Sequence, residues 1–352
     1  MRGRKIAALA LAVLLGGCGW MEGSYVSVVP HQVGLDQSSE TTVHTVRSYT
    51  ELRGALVGMI DSGTERALFS LAEYPREEVP EDLQRAVDYA QGTYPVGAYA
   101  VESIDYHFGT GLGASALSVD ITYRRSQAQI EDIRTVRRIN GAKTEVEDAL
   151  NRFDSTLALL IADYQETDFS AMILDYAQRN PDRVMEVPIV NVQVFPEQGE
   201  SRVVELSFHY RTDREELRAM REQVQPVFSS AALYVSGQAG ERVRFSQLHT
   251  FLMERFDYTY GTTLTPAYSL LCQGVGDSRA FAQIYAAMCG RIGLEAEVVS
   301  GKYGGENRWW NRICIDGTWY HLDLMAGQQF VPMTPEQMGD YEWNRTAEPT
   351  AG

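Results

Sequence analysis

The strongest potential nucleophiles in this sequence are its four cysteines, at positions 18, 272, 289 and 314. A thiol attacks as thiolate, a form favoured at a helix N-terminus or beside a cation. It also needs a base, and the base needs an orienting partner. Cys272 stands just before GVGDSRAFA, residues 274–282, where Asp277 or Ser278 can cap a helix. That setting leaves Cys272 open to two readings, a reactive thiol brought to the helix start or a disulfide-bonded or buried one. Cys289 and Cys314 lie in apolar periodic contexts and are expected in the core. His321 and Asp323 are two residues apart in a strand-like run, and alternation sets both on one face. Arg308, Trp309, Trp310 and Trp319 join Asp323 as binding candidates, a guanidinium among aromatic walls that suits a peptide or carboxylate. The same tryptophans would serve equally to pack a sheet. No CxxC pair or Cys/His cluster has metal spacing, so the sequence calls for no metal and no cofactor.

The elements that must position these residues can be read from periodicity. Apolar residues at Phe245, Leu248, Leu252 and Phe256 predict a helix within residues 244–260, followed by a loop. A second helix starts at Asp277 or Ser278, buries Ala280, Ile284, Ala287 and Met288, and ends at Gly290 or Gly293. Residues 295–301 read as a strand. Residues 309–324 read as a hairpin turning at Asp316-Gly317. Thr334 is placed to cap a short helix with Pro335 in its first turn.

Residues 244–324 resemble the bacterial transglutaminase-like superfamily, whose core is papain-like. The resemblance is carried by Ala267-Tyr268-Ser269, Gly274-Val275-Gly276 with Ala280, Gly293-Leu294, Val298-Val299-Ser300-Gly301, Trp310-Asn311, Asp316-Gly317, and Trp319-Tyr320-His321 with Asp323. It implies a Cys-His-Asp site in which the nucleophile falls on Gly276, the base on Arg308 and the orienting carboxylate on Asp323. Glycine has no nucleophile, and arginine stays protonated. The expectation is a domain that has lost its chemistry, with Cys272, Ser278 and His321 as the residues that could rescue it, Ser278 reading otherwise as a plain helix cap. His321 matches the family's Tyr-His-x-Asp strand rather than its base, and reads as a structural or pocket residue.

Ahead of this domain, two short words recur at one offset. Tyr89-Ala90-Gln91 returns at Tyr176-Ala177-Gln178, and ITYR at 121–124 is echoed by FHYR at 208–211. Each copy reads as helix, strand, helix and hairpin, with residues 48–62 and 144–164 as the leading helical patterns. The expected fold class is therefore α+β: two tandem small α+β repeats, 45–130 and 136–225, followed by a transglutaminase-like, papain-like α+β domain at 226–345 and a tail at 346–352.

The N-terminus has a basic segment, a ten-residue apolar run and small residues, the order of an export signal. Leu15-Gly16-Gly17-Cys18 resembles a bacterial lipobox. It implies a signal peptide over 1–17 and lipidation of Cys18, with residues 18–44 as a tether to a bilayer. The expected localisation is extracytoplasmic and membrane-anchored. There only one disulfide is possible among the three remaining cysteines. The formal charge is −16, and lysine occurs only at 5, 143 and 302. Such a chain has no basic stripe, so no nucleic-acid partner is expected. A peptide or surface protein of the cell envelope is the expected one.

Overall fold

The computed structural model describes residues 43–109 and 115–345, and in it three large hydrophobic cores follow one another along the chain. The first is built from β1 (His44–Thr45), α1 (Tyr49–Asp61), β2 (Arg66–Ser70), α2 (Val79–Asp88), α3 (Pro95–Ala100), β3 (Val101–Gly109) and β4 (Ala116–Tyr123). Ser48 caps α1 by accepting from the Glu51 amide, and Leu52, Leu56, Met59 and Ile60 form its buried stripe. A π-helical turn, Tyr89–Thr93, leads into α3. Gly97 lets α3 lie directly against that turn, because a Cβ there would sit 1.7 Å from the Ala90 carbonyl oxygen.

After α4 (Gln127–Glu131), the second unit comprises β5 (Arg134–Val136), α5 (Ile139–Arg152), β6 (Thr156–Ile161), α6 (Phe169–Arg179), β7 (Ile189–Phe195) and β8 (Arg202–His209). The two sheets have orders β1-β2-β4-β3 and β5-β6-β8-β7. In each, the first pair is parallel and the other two are antiparallel. The leading helical pattern over 144–164 stops at Arg152. There Phe153 turns left-handed at φ 54°, and TLALLI continues as a strand in which Leu157, Leu159 and Ile161 are buried and Ala158 and Leu160 half-buried. The open face of the second sheet packs on the first unit through Ala158, Leu160, Phe195 and Val203. Within that contact, the Glu205 carboxylate accepts from the Tyr99 hydroxyl at 3.1 Å and pairs with Arg125 at 2.6 Å.

The third core starts earlier than residue 226. Helix α7 (Arg214–Tyr234) runs straight through Pro226, and Leu217, Val224, Phe228 and Ala231 all belong to the C-terminal core. Proline removes one amide donor from the helix, but burial on both sides of it holds the helix together. Then come α8 (Glu241–Met253), β9 (Asp257–Tyr258), α9 (Pro266–Gln273), β10 (Val275–Gly276) and α10 (Ser278–Arg291). The sheet β13-β12-β11-β14 follows, made of β11 (Ala296–Tyr303), β12 (Glu306–Ile315), β13 (Thr318–Leu322) and β14 (Tyr341–Trp343), antiparallel throughout. The expected loop around Ala267-Tyr268-Ser269 is helix α9, started by Pro266 and closed by left-handed Gly274. The hairpin turn has φ 50° at Asp316 and φ 80° at Gly317, both positive as a two-residue turn of this kind requires. Helix α10 lies on β11 and β12, and Asn311 ties the layers by donating to the Ala282 carbonyl at 2.8 Å and the Glu297 carbonyl at 3.3 Å. No helix among the described residues is long and apolar enough to cross a membrane.

Candidate functional site

Asp323 directly follows strand β13, and its side chain is fully buried. Three donors hold it. Arg308 Nε lies 2.9 Å from Oδ2, the Tyr341 hydroxyl donates to the same oxygen at 2.9 Å, and the Met325 amide donates to Oδ1 at 2.8 Å. Burial, reinforced by the neighbouring carboxylate, pushes the Tyr341 hydroxyl well above its ordinary pKa and keeps it a donor. Arg308 is itself only 16% exposed and lies over two rings, 5.7 Å from Tyr303 and 6.0 Å from Tyr258. The base position of the expected site thus holds a permanent cation, already spent on the carboxylate that would have oriented a histidine.

Gly276 is not at a helix start. It lies in β10, paired with Tyr258, and a Cβ there would meet Leu270 and Ala280 at 3.1 Å. The first helical residue of α10 is Ser278. Asp277 caps the helix by accepting from the Ala280 amide at 2.8 Å. The Ser278 side chain is buried, and its Oγ accepts from the backbone amide of Trp309 at 3.3 Å, beside Arg308 on β12. The first residue of α10 is therefore a hydroxyl, Ser278, which meets β12 at the backbone of Trp309. This was legible in part: once Asp277 is taken as the cap, Ser278 is the residue on which the helix dipole acts. Tyr341 carried no such signal, being 18 residues from Asp323 in a segment read only as completing the domain.

Cys272 is the penultimate residue of α9. That is the end of a helix where the dipole disfavours a thiolate, and desolvation pushes its thiol pKa up. Cys272, Cys289 and Cys314 are all free thiols, so no disulfide joins Cys272 to Cys289. Cys289 is fully buried, as expected. Cys314 is only half-buried, across the strand pair from Trp319.

The binding candidates do not form one wall. Trp310 is completely buried against Met338 and Tyr341, and its indole N–H donates to His321 Nδ1 at 3.0 Å. His321 is buried too, and its backbone bridges to Met333. Both residues serve the packing of this sheet face. Trp309 points the other way, as alternation dictates, and lies under Arg279 of α10 at 5.2 Å. Trp319 stacks with Arg312 at 4.5 Å, well along the hairpin from Arg308. Only Arg308 and Asp323 of the set are brought together. Cys18 lies outside the described residues.

Residues 230–324 match the family model of the transglutaminase-like superfamily. The C-terminal domain is transglutaminase-like. Among solved structures, a TGase crystal structure is 13% identical with a TM-score of 0.27, the match covering 48% of this chain and 50% of that one. A candidate cysteine protease from Cytophaga hutchinsonii is 14% identical with a TM-score of 0.26, over 44% of this chain and 72% of its own. A candidate protease from Parabacteroides distasonis is 9% identical with a TM-score of 0.24, over 60% and 47%. The chain spans half the length of the first of these structures. No curated protein matches it.

Proposed function

We propose that this chain is an exported protein, anchored to a membrane by lipid on Cys18, whose transglutaminase-like domain binds an envelope peptide or protein and performs no acyl transfer. The observation that carries the reading is the buried Arg308–Asp323 pair. In a working site of this kind the carboxylate orients an imidazole that takes a proton from the nucleophile. Here the carboxylate is bonded to a guanidinium, which has no proton-accepting form at ordinary pH. The Ser278 hydroxyl thus has a helix N-terminus beside it but no base from that position. Cys272 has the wrong end of a helix and a raised pKa.

The test is transamidation by the full chain, with glutamine-bearing peptides and a labelled amine read by mass spectrometry. No product is expected from wild type or from Cys272→Ala. Product that depends on Cys272 or Ser278 would overturn the reading. Anchoring is tested separately: cells fed a labelled fatty acid should label wild type and not Cys18→Ser.

A further inference from the structure

The C-terminal half of α7 stands between depressions on either side. A groove of about 1410 Å³ runs between α6, α7, α10 and β11, and Leu233 forms part of its wall. Leu233 also lines a second depression of about 540 Å³, which shares Tyr234 with a third of about 320 Å³ that reaches Phe330. The three adjoin end to end, with Leu233 and Tyr234 as the ridges between them. Leu233 is 87% exposed, an apolar side chain set at the junction of two concave surfaces.

The charges along this track are unevenly committed. Its carboxylates are taken: Asp175 pairs with Arg179, Asp182 with Arg291 at 2.6 Å, and Glu297 with Arg312 at 2.8 Å. Arg183, in the first groove, and Arg242, in the third, are exposed and have no carboxylate partner among the described residues. Ala232, Ala286, Ala287 and Gly290 are among the residues that line the first groove, and residues this small leave room in it for a chain. A concave track whose uncommitted charges are guanidinium groups selects an anion locally, even on a chain of formal charge −16.

We infer that this track is a docking site for an extended acidic peptide segment of another protein, one that sets an apolar side chain against Leu233 and carboxylates against Arg183 and Arg242. Sequential depressions divided by apolar ridges fit an extended chain with side-chain pockets. A flat anionic bilayer could not enter them. The inference rests on reading the C-terminal domain as a binding domain, but it uses none of the residues at the Arg308–Asp323 pair.

The experiment is fluorescence anisotropy of the full chain with two labelled probe peptides, one of Glu, Leu and Ser, the other of Lys, Leu and Ser. Saturable binding of the acidic probe alone is expected. Leu233→Ser should weaken it by about tenfold, in keeping with a buried apolar anchor at an interface. Arg183→Glu combined with Arg242→Glu should turn the preference to the Lys probe. All three side chains are exposed, so these changes leave the cores untouched. Absence of saturable binding, equal binding of both probes, or an unchanged affinity in Leu233→Ser would overturn the inference. Transfer chemistry at Ser278 or Cys272 would remove the binding-domain reading without touching the anisotropy result, so the two failures are distinguishable.

Discussion

Arg308 on β12 and Asp323, just after β13, form a buried ion pair 2.9 Å apart, with the Tyr341 hydroxyl on the same carboxylate oxygen. The pair does for the fold what an imidazole and carboxylate would do for catalysis: it satisfies a carboxylate taken out of water. Because Asp323 is fully buried, removing its cation leaves an uncompensated charge. Arg308→Ala is expected to cost about 3–5 kcal/mol, read as a shift of the urea midpoint. A loss under about 1 kcal/mol would show that the pair is incidental.

Gly276 is held by packing. A methyl at its Cβ would press on Leu270 and Ala280 at 3.1 Å. Gly276→Ala should therefore destabilise the domain by about 1–3 kcal/mol, the ordinary cost of overpacking. Combining it with Leu270→Ala should recover part of that loss relative to Leu270→Ala alone, since the added methyl then fills space. Denaturant titration of the four proteins checks both statements.

Ser278 marks the helix start, and Cys272 a helix end. Ser278→Cys in an Arg308→His background should give a thiol that iodoacetamide alkylates near neutral pH faster than Cys272, with Asp323 free to orient the new histidine. Peptide mapping of the alkylated double variant separates the two thiols. Faster alkylation of Cys272 would place the nucleophile position elsewhere.

His249 on α8 is buried, its ring 5.8 Å from that of Phe330, and burial lowers its pKa from 6.5 to about 4. The folded state thus binds this proton less readily than the unfolded chain does. The stability linked to it is intact above pH 6.5 and is lost as pH falls from there toward 4, by up to about 3 kcal/mol. His249→Leu should show a shallower loss than wild type over that window. Parallel curves for the two proteins would contradict the assignment.

Much of the C-terminal domain was legible because its signals are local. Asp316-Gly317 requires two positive φ values and so announces its hairpin, and Asp277 announces α10 through its side chain. The resemblance also set Arg308 in the expected base position, beside Asp323 in the expected orienting one. Their third partner was not legible, since Tyr341 comes from β14, 18 residues beyond Asp323. Alternation along β12 sends Trp309 and Trp310 to opposite faces, a local rule that argues against a shared aromatic wall before any coordinates are known. The alternating TLALLI segment was absorbed into a helical pattern because its Leu-rich composition suits either element. A three-residue turn, Phe153 to Ser155, with Phe153 left-handed, separates α5 from β6.

The claim that this site is chemically silent is tested most directly by acyl trapping. The full chain is exposed to an activated ester and each residue's acylation rate is read by peptide mass spectrometry. Ser278 and Cys272 are expected to acylate no faster than after unfolding in urea. Stoichiometric acylation of either residue in the folded protein, abolished by Asp323→Asn, would mean that the Arg308–Asp323 pair supports catalysis.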